Sequence, residues 1–159
     1  MKTIKIEHKQ YERKVRSYEN ALCNWAGFLT SLSLIGYFLL MKAFGLNQVL
    51  EFRYVNVVFL VTGVLGTYYN YRKKVDNEGI DYFTGLKMGL RITLTAIIPF
   101  ALFMAIYLRI DTDFMHYIRE YAPFGRYLTP LNAAGVVGVE GFISGGITSF
   151  MAMQYFKDK

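Results

Sequence analysis

Residues 131–155 read LNAAGVVGVEGFISGGITSFMAMQY, a run in which Glu140 is the only charged side chain. About 20 helical residues cross a hydrocarbon core of about 30 Å, so the run is long enough to span one. Its apolar residues do not alternate, and an open strand would leave backbone groups unpaired in lipid. A helix satisfies every N–H and C=O internally. Ala134, Gly138, Gly141 and Gly145 recur along it at helical spacing as one small stripe, and Gly141-x-x-x-Gly145 lets two helix backbones approach closely. The neighbour on that stripe is either another helix of the same chain or a second protein.

Working outward, three further apolar runs of spanning length occupy 25–44, 54–71 and 82–108. Over the 159 residues, 53% are hydrophobic and 17% aromatic, a composition too apolar for a soluble bundle of this size. The sequence therefore predicts an all-α membrane protein: one domain with four transmembrane helices in antiparallel hairpins. A short amphipathic helix in the outer loop 109–130 and a basic N-terminal helix in the arm 1–22 complete it.

The net charge of +6 does not point to nucleic acid, because the basic residues gather at the ends of the runs instead of forming a groove with stacking aromatics. Thirteen of the 18 lysines and arginines fall before the first run, after the second, at the start of the third or after the fourth. Positive residues accumulate on the cytoplasmic side, which predicts cytoplasmic N and C termini. The single cysteine, Cys23, excludes an internal disulfide and a cysteine-based metal site, and reads as a small apolar residue. A polar lead of about twenty residues without a small-x-small cleavage pattern predicts that the first run stays as an anchor.

In the arm, Tyr11, Val15, Tyr18 and Leu22 share a helical face. Either an amphipathic helix lies along the membrane surface before turning into the first span, or the arm is simply solvated. In the first span Asn24, Thr30, Ser31 and Ser33 look for a neighbouring helix. Residues 46–53 form a short outer loop. The second span ends in tyrosines and then Arg72, Lys73 and Lys74, an aromatic belt followed by charge. A polar turn at 76–79 leads to Asp81, which can cap the third span, where Gly85 and Gly89 permit close approach. Lys87 and Arg91 share a face near the start of that span, as snorkelling cations or as a buried functional pair. Pro99 should kink the span, with Thr95 partnering the freed backbone. In the outer loop Phe114, Tyr117, Ile118 and Tyr121 repeat at helical spacing behind the capping sequence Asp111-Thr112-Asp113, and Pro123 closes the helix. The spacing predicts a short helix flat on the outer leaflet, with His116 on its flank.

The second span ends Tyr71-Arg72-Lys73-Lys74. The turn Asn77-Glu78-Gly79-Ile80 then leads into Tyr82-Phe83-Thr84-Gly85-Leu86-Lys87-Met88-Gly89, and the third span ends in Ile110-Asp111-Thr112-Asp113-Phe114. With the small-residue fourth span and the lysine tail, this pattern resembles a family of four-span bacterial inner-membrane proteins known as domain of unknown function 4199. The likeness covers nearly the whole chain from about Glu19. It departs at Thr112, where a proline is familiar, and at Glu140, which is not a family-wide feature. The resemblance implies topology and a bacterial inner membrane; it implies no activity.

No catalytic motif is visible: there is no Cys or His metal spacing, no nucleophile elbow and no phosphate loop, and His8 and His116 fall on opposite sides of the predicted topology. No cofactor or metal is expected. The Gly135, Gly138, Gly141 series lies inside an apolar run with no preceding strand, so it is a packing surface and not a dinucleotide turn. A carboxylate near the middle of a span costs roughly 2.5–3.5 kcal/mol on insertion scales, so Glu140 needs a proton or a partner. With Ser144, Thr148 and Arg91 it makes a candidate ion or proton site; polar packing is the alternative. The expected function is a non-enzymatic accessory or structural subunit, with the lipid bilayer and another membrane protein or itself as partners and the glycine-rich span as the packing helix. A small transporter or channel using Glu140 is the alternative.

Overall fold

The computed structural model describes residues 2–46, 54–75, 80–122 and 124–156; of residues 2–9, 11, 12 and 75 it describes the backbone alone. Among the described residues the chain is all helical. Its helices are α1 (Lys2–Ala43), α2 (Val55–Val75), α3 (Tyr82–Ile110), α4 (Thr112–Tyr121) and α5 (Pro130–Phe156), with a 3₁₀ turn at Gly125–Tyr127. The expected turn at 76–79, most of the loop 46–53, Pro123 and the lysine tail lie outside the described residues.

The helix ends follow from local chemistry. Asp81 accepts from the Thr84 N–H at 3.2 Å and opens α3, as its position predicts. Asp111 accepts from the Phe114 N–H at 3.0 Å and opens α4. Thr129 Oγ1 accepts from the Asn132 N–H at 3.2 Å, and Pro130, which has no N–H to lose, takes the first position of α5. α1 ends in a left-handed glycine: Gly45 has φ 70°, its N–H reaches the Lys42 carbonyl and the Leu46 N–H reaches that of Met41. Two otherwise orphaned carbonyls are satisfied by this paired geometry.

Two expectations are corrected. The N-terminal arm does not form a separate surface helix that turns into the first span, because α1 is one helix of 42 residues. Residues 17–25 contain neither glycine nor proline, so nothing in them breaks the ladder. Thr30 and Ser33 do not spend their hydroxyls on a neighbour; they donate to the Ala26 and Leu29 carbonyls of their own helix, at 2.8 and 3.0 Å. α3 runs through Pro99 as one helix, and Thr95 lies against Gly27 of α1.

α3 is the central helix. α1 runs parallel to it, with contacts from Asn24 to Arg91, Gly27 to Thr95, Phe38 to Tyr107 and Lys42 to Asp111. α5 packs antiparallel on the opposite face of α3, and α2 lies between α1 and α5, closing a four-helix ring. Thr30 fills the space beside Gly63 where α1 meets α2. Two buried clusters hold the ring. One, opposite α4, centres on Cys23, Val64, Tyr68, Met88 and Met153. The other joins Leu34, Phe100, Met104 and Tyr107 to Phe114 and Met115 of α4. The apolar face of α4 is thus turned onto the bundle.

Among the described residues three helices are long and apolar enough to cross a membrane: Arg13–Ala43 within α1, α3 and α5. α2 is not among them, since its final turns carry Tyr68, Tyr69, Asn70 and Tyr71 before Arg72, Lys73 and Lys74. The sides of these helices away from the ring are nonetheless apolar and open: Leu29, Leu40, Val58, Ile98, Leu102, Ile106 and Ile147 are all exposed. Apolar surface on this scale is foreign to soluble monomers and matches a lipid environment.

Candidate functional site: the α3–α5 seam and the outer face of α5

Along the α3–α5 seam, residues four apart on one helix meet residues four apart on the other. Gly85 faces Met153, Gly89 faces Ser149, Thr93 faces Gly145 and Ile97 faces Gly141, with Ala101 beside Gly138. The small residue changes sides midway, from α3 at Gly85 and Gly89 to α5 at Gly145 and Gly141. Each bulky side chain therefore enters a notch in the opposite backbone, the ridge-into-groove fit of i±4 rows.

The fit is closest at the Gly85 and Gly89 end and loosens toward Gly138. A Cβ at Gly145 would overlap Thr93, while one at Gly138 would lie 3.7 Å from Ala101, an ordinary contact. Ala134, the last member of the stripe, is buried in the cluster near α4. All four stripe residues thus lie along the α3 side of α5. Below them, the Tyr68 hydroxyl donates to the Gly85 carbonyl at 2.6 Å and stands next to Gly89, locking α2 to the same seam.

Of the four polar candidates, Glu140, Ser144 and Thr148 follow one another at one-turn spacing on α5, and Arg91 stands apart from them. Arg91 lies on the face of α3 opposite the row that meets α5, and donates through Nε to Asn24 Oδ1 at 3.0 Å and through Nη1 to Asn20 Oδ1. Thr148 donates to the Ser144 carbonyl at 2.8 Å and lines an apolar groove of about 640 Å³ between α2 and α5, with Val61, Leu65, Gly66 and Met151. Glu140 is exposed on the side of α5 that points away from α3, in a ridge with Val136, Ile143, Ile147 and Met151. A carboxylate thus sits in an otherwise apolar outward face.

Sequence reasoning missed the Arg91 pairing, although Asn20 and Asn24, one turn apart, put two carboxamides on one face of α1. It also missed Gly27 and Gly63, the notches by which α1 meets α3 and α2. At the α4 end, Asp111 gathers more than its capping role. Its Oδ2 accepts from the Tyr107 hydroxyl at 2.5 Å and faces Lys42 Nζ at 3.2 Å. The Tyr107 hydroxyl first, then the Phe114 N–H and Lys42, hold this carboxyl below the usual carboxylate range. Among the described residues no three His, Cys, Asp or Glu side chains come together as a metal site.

Comparison with family models, curated proteins and solved structures finds no match for this chain. What the fold and seam define, among the described residues, is an all-helical chain with three helices long and apolar enough to cross a membrane.

Proposed function

We propose that this chain is a small integral protein of the bacterial inner membrane that crosses the bilayer four times, with both termini cytoplasmic. In this reading it serves as a non-enzymatic accessory or structural subunit. α2 makes the fourth span because it lies within the ring between two helices of spanning length, with Val57 and Val58 exposed. Arg72, Lys73 and Lys74 stand at the same end of the ring as Arg13, Lys14 and Arg16, which supports cytoplasmic termini. The resemblance to the four-span family contributes the bacterial membrane and no activity.

The observation that carries the subunit role is the outward ridge of α5. Its small face is already occupied by α3, so a partner helix has to meet the opposite side, where Glu140 stands among Val136, Ile143 and Ile147. A carboxyl in that outward ridge gives a second membrane helix or a second copy a polar group to hydrogen-bond across the contact. The alternative, a transporter or channel, loses the cation assigned to it, because Arg91 faces α1.

Intact mass analysis of the gently extracted protein tests the role, with cysteines placed for cross-linking at Ile143 and, as control, at Leu102 of α3. A stoichiometric companion or second copy that cross-links at 143 and is lost in Glu140→Leu is the expected result. A lone chain, unchanged by Glu140→Leu, overturns the role and directs attention to flux assays comparing the native chain with Glu140→Gln.

A further inference from the structure

Arg91 is an exposed cation whose side chain is held in place by uncharged acceptors. Nε bonds to Asn24 and Nη1 to Asn20, one turn earlier on the parallel helix α1, so the guanidinium runs along the groove away from the α4 end. Both acceptors are uncharged carboxamides, and a guanidinium carries five N–H donors, so donors remain for a ligand. Lys87 lies one turn before Arg91 on α3, and Arg16 one turn before Asn20 on α1. Glu19, at the same mouth, feels Arg16, Lys87 and Arg91 together, so that among the described residues three cations share this carboxylate.

Immediately beyond this mouth the two ridges turn wholly apolar while staying open. On α3 the face of Arg91 continues through Leu94, Ile98 and Leu102, and on α1 that of Asn24 continues through Phe28, all exposed. Trp25, 66% exposed, marks the level where α1 changes from polar to apolar, the depth at which tryptophan sits at membrane interfaces.

A free anion would use only the cations, whereas an amphipathic ligand with an anionic head and acyl chains matches both halves. We propose that the mouth of the α1–α3 groove binds one anionic phospholipid, its phosphodiester on Arg91 between Lys87 and Arg16 and its chains along Leu94 and Ile98. This rests on the membrane-spanning reading above. Asn20 and Asn24 act as positioning residues, presenting the fork of Arg91 to a planar pair of phosphate oxygens.

The test is retention of phosphatidylglycerol, against phosphatidylcholine, by the full chain in a neutral detergent, read by native mass analysis. Wild type should retain one phosphatidylglycerol in preference to phosphatidylcholine. Arg91→Gln should weaken it about fivefold, the factor associated with one basic residue at an anionic surface. Lys73→Gln, on α2, should leave it unchanged. The Asn20→Ala, Asn24→Ala double variant keeps every charge and should also weaken retention, which a merely additive basic patch would not show.

Equal retention of both lipids overturns the proposal, as does equal loss in Lys73→Gln and Arg91→Gln. Displacement of the lipid by millimolar inorganic phosphate would show a free-anion site instead. Elution volume and thermal unfolding of each variant separate a lost site from a lost fold. If the chain leaves native membranes with alkaline carbonate, the four-span reading fails; a chain that stays but retains no lipid overturns the site alone.

Discussion

Lys42 Nζ stands 3.2 Å from Asp111 Oδ2, tying the last turn of α1 to the point where α3 ends and α4 begins. The pair is open to solvent, and such pairs contribute little alone. Its weight comes from sharing Asp111 with the Tyr107 hydroxyl and the Phe114 N–H, so one carboxylate caps a helix and joins three elements. Asp111→Ala should release α4 and expose Phe114 and Met115, costing about 1–2 kcal/mol, typical of a lost cap with a lost hydrogen bond. Hydrogen exchange at the α4 amides would read this locally; unchanged protection would refute the hub.

The same carboxyl fixes a pH dependence. Tyr107, Phe114 and Lys42 depress its folded-state pKa, so its contribution is fully present above the ordinary value of about 3.9 and is lost as pH falls through the lower folded value. Docking of α4 should therefore hold constant from neutral pH down to about 4 and weaken below. Asp111→Asn should remove that acid step. An onset near pH 6 would point to a different group.

Alanine substitutions on α5 should grade with the seam. Gly145→Ala meets the stiff, β-branched Thr93 and should destabilise most. Gly141→Ala meets the end of Ile97, which can yield, and Gly138→Ala meets only ordinary contact. Gly135→Ala and Gly146→Ala enter open space and should be neutral or stabilising by about 0.5–1 kcal/mol through helix propensity. Unfolding in mixed micelles gives the order. A flat series would mean that α5 packs elsewhere.

Thr93 has a fully buried hydroxyl with no hydrogen-bond partner. Thr93→Val keeps the shape and removes the unsatisfied oxygen, so it should be neutral or stabilising, whereas Tyr68→Phe removes the bond to Gly85 and should cost about 1 kcal/mol. Thermal unfolding of the two variants side by side should separate them in that direction.

Features set by neighbours in sequence were legible. The caps at Asp81 and Asp111 need only a carboxyl placed before a helical run. The small stripe of α5 was legible as a surface, but four small residues in a row announce that a backbone will come close without saying which one. Arg91 was legible as an odd cation and its partners were not, because Asn24 and Asn20 lie 67 and 71 positions away. A bend in the arm, one of the two readings open there, is absent for a different reason: a change from charged to apolar residues is a change of solvent, and helix propensity does not register it. Hydroxyls in the first span were assigned to neighbours because lipid offers no acceptors, yet the helix's own carbonyl one turn back is always nearer.

The unbroken α1 also has a mechanical meaning. A 42-residue helix is about 63 Å long at 1.5 Å per residue, roughly twice the thickness of a hydrocarbon core. With no hinge between its charged half and its apolar half, torque applied to the charged half would not be dissipated at a joint. A twist imposed there would turn the whole rod, and the contacts of Gly27 with Thr95 and of Lys42 with Asp111 are where it would reach α3 and the start of α4.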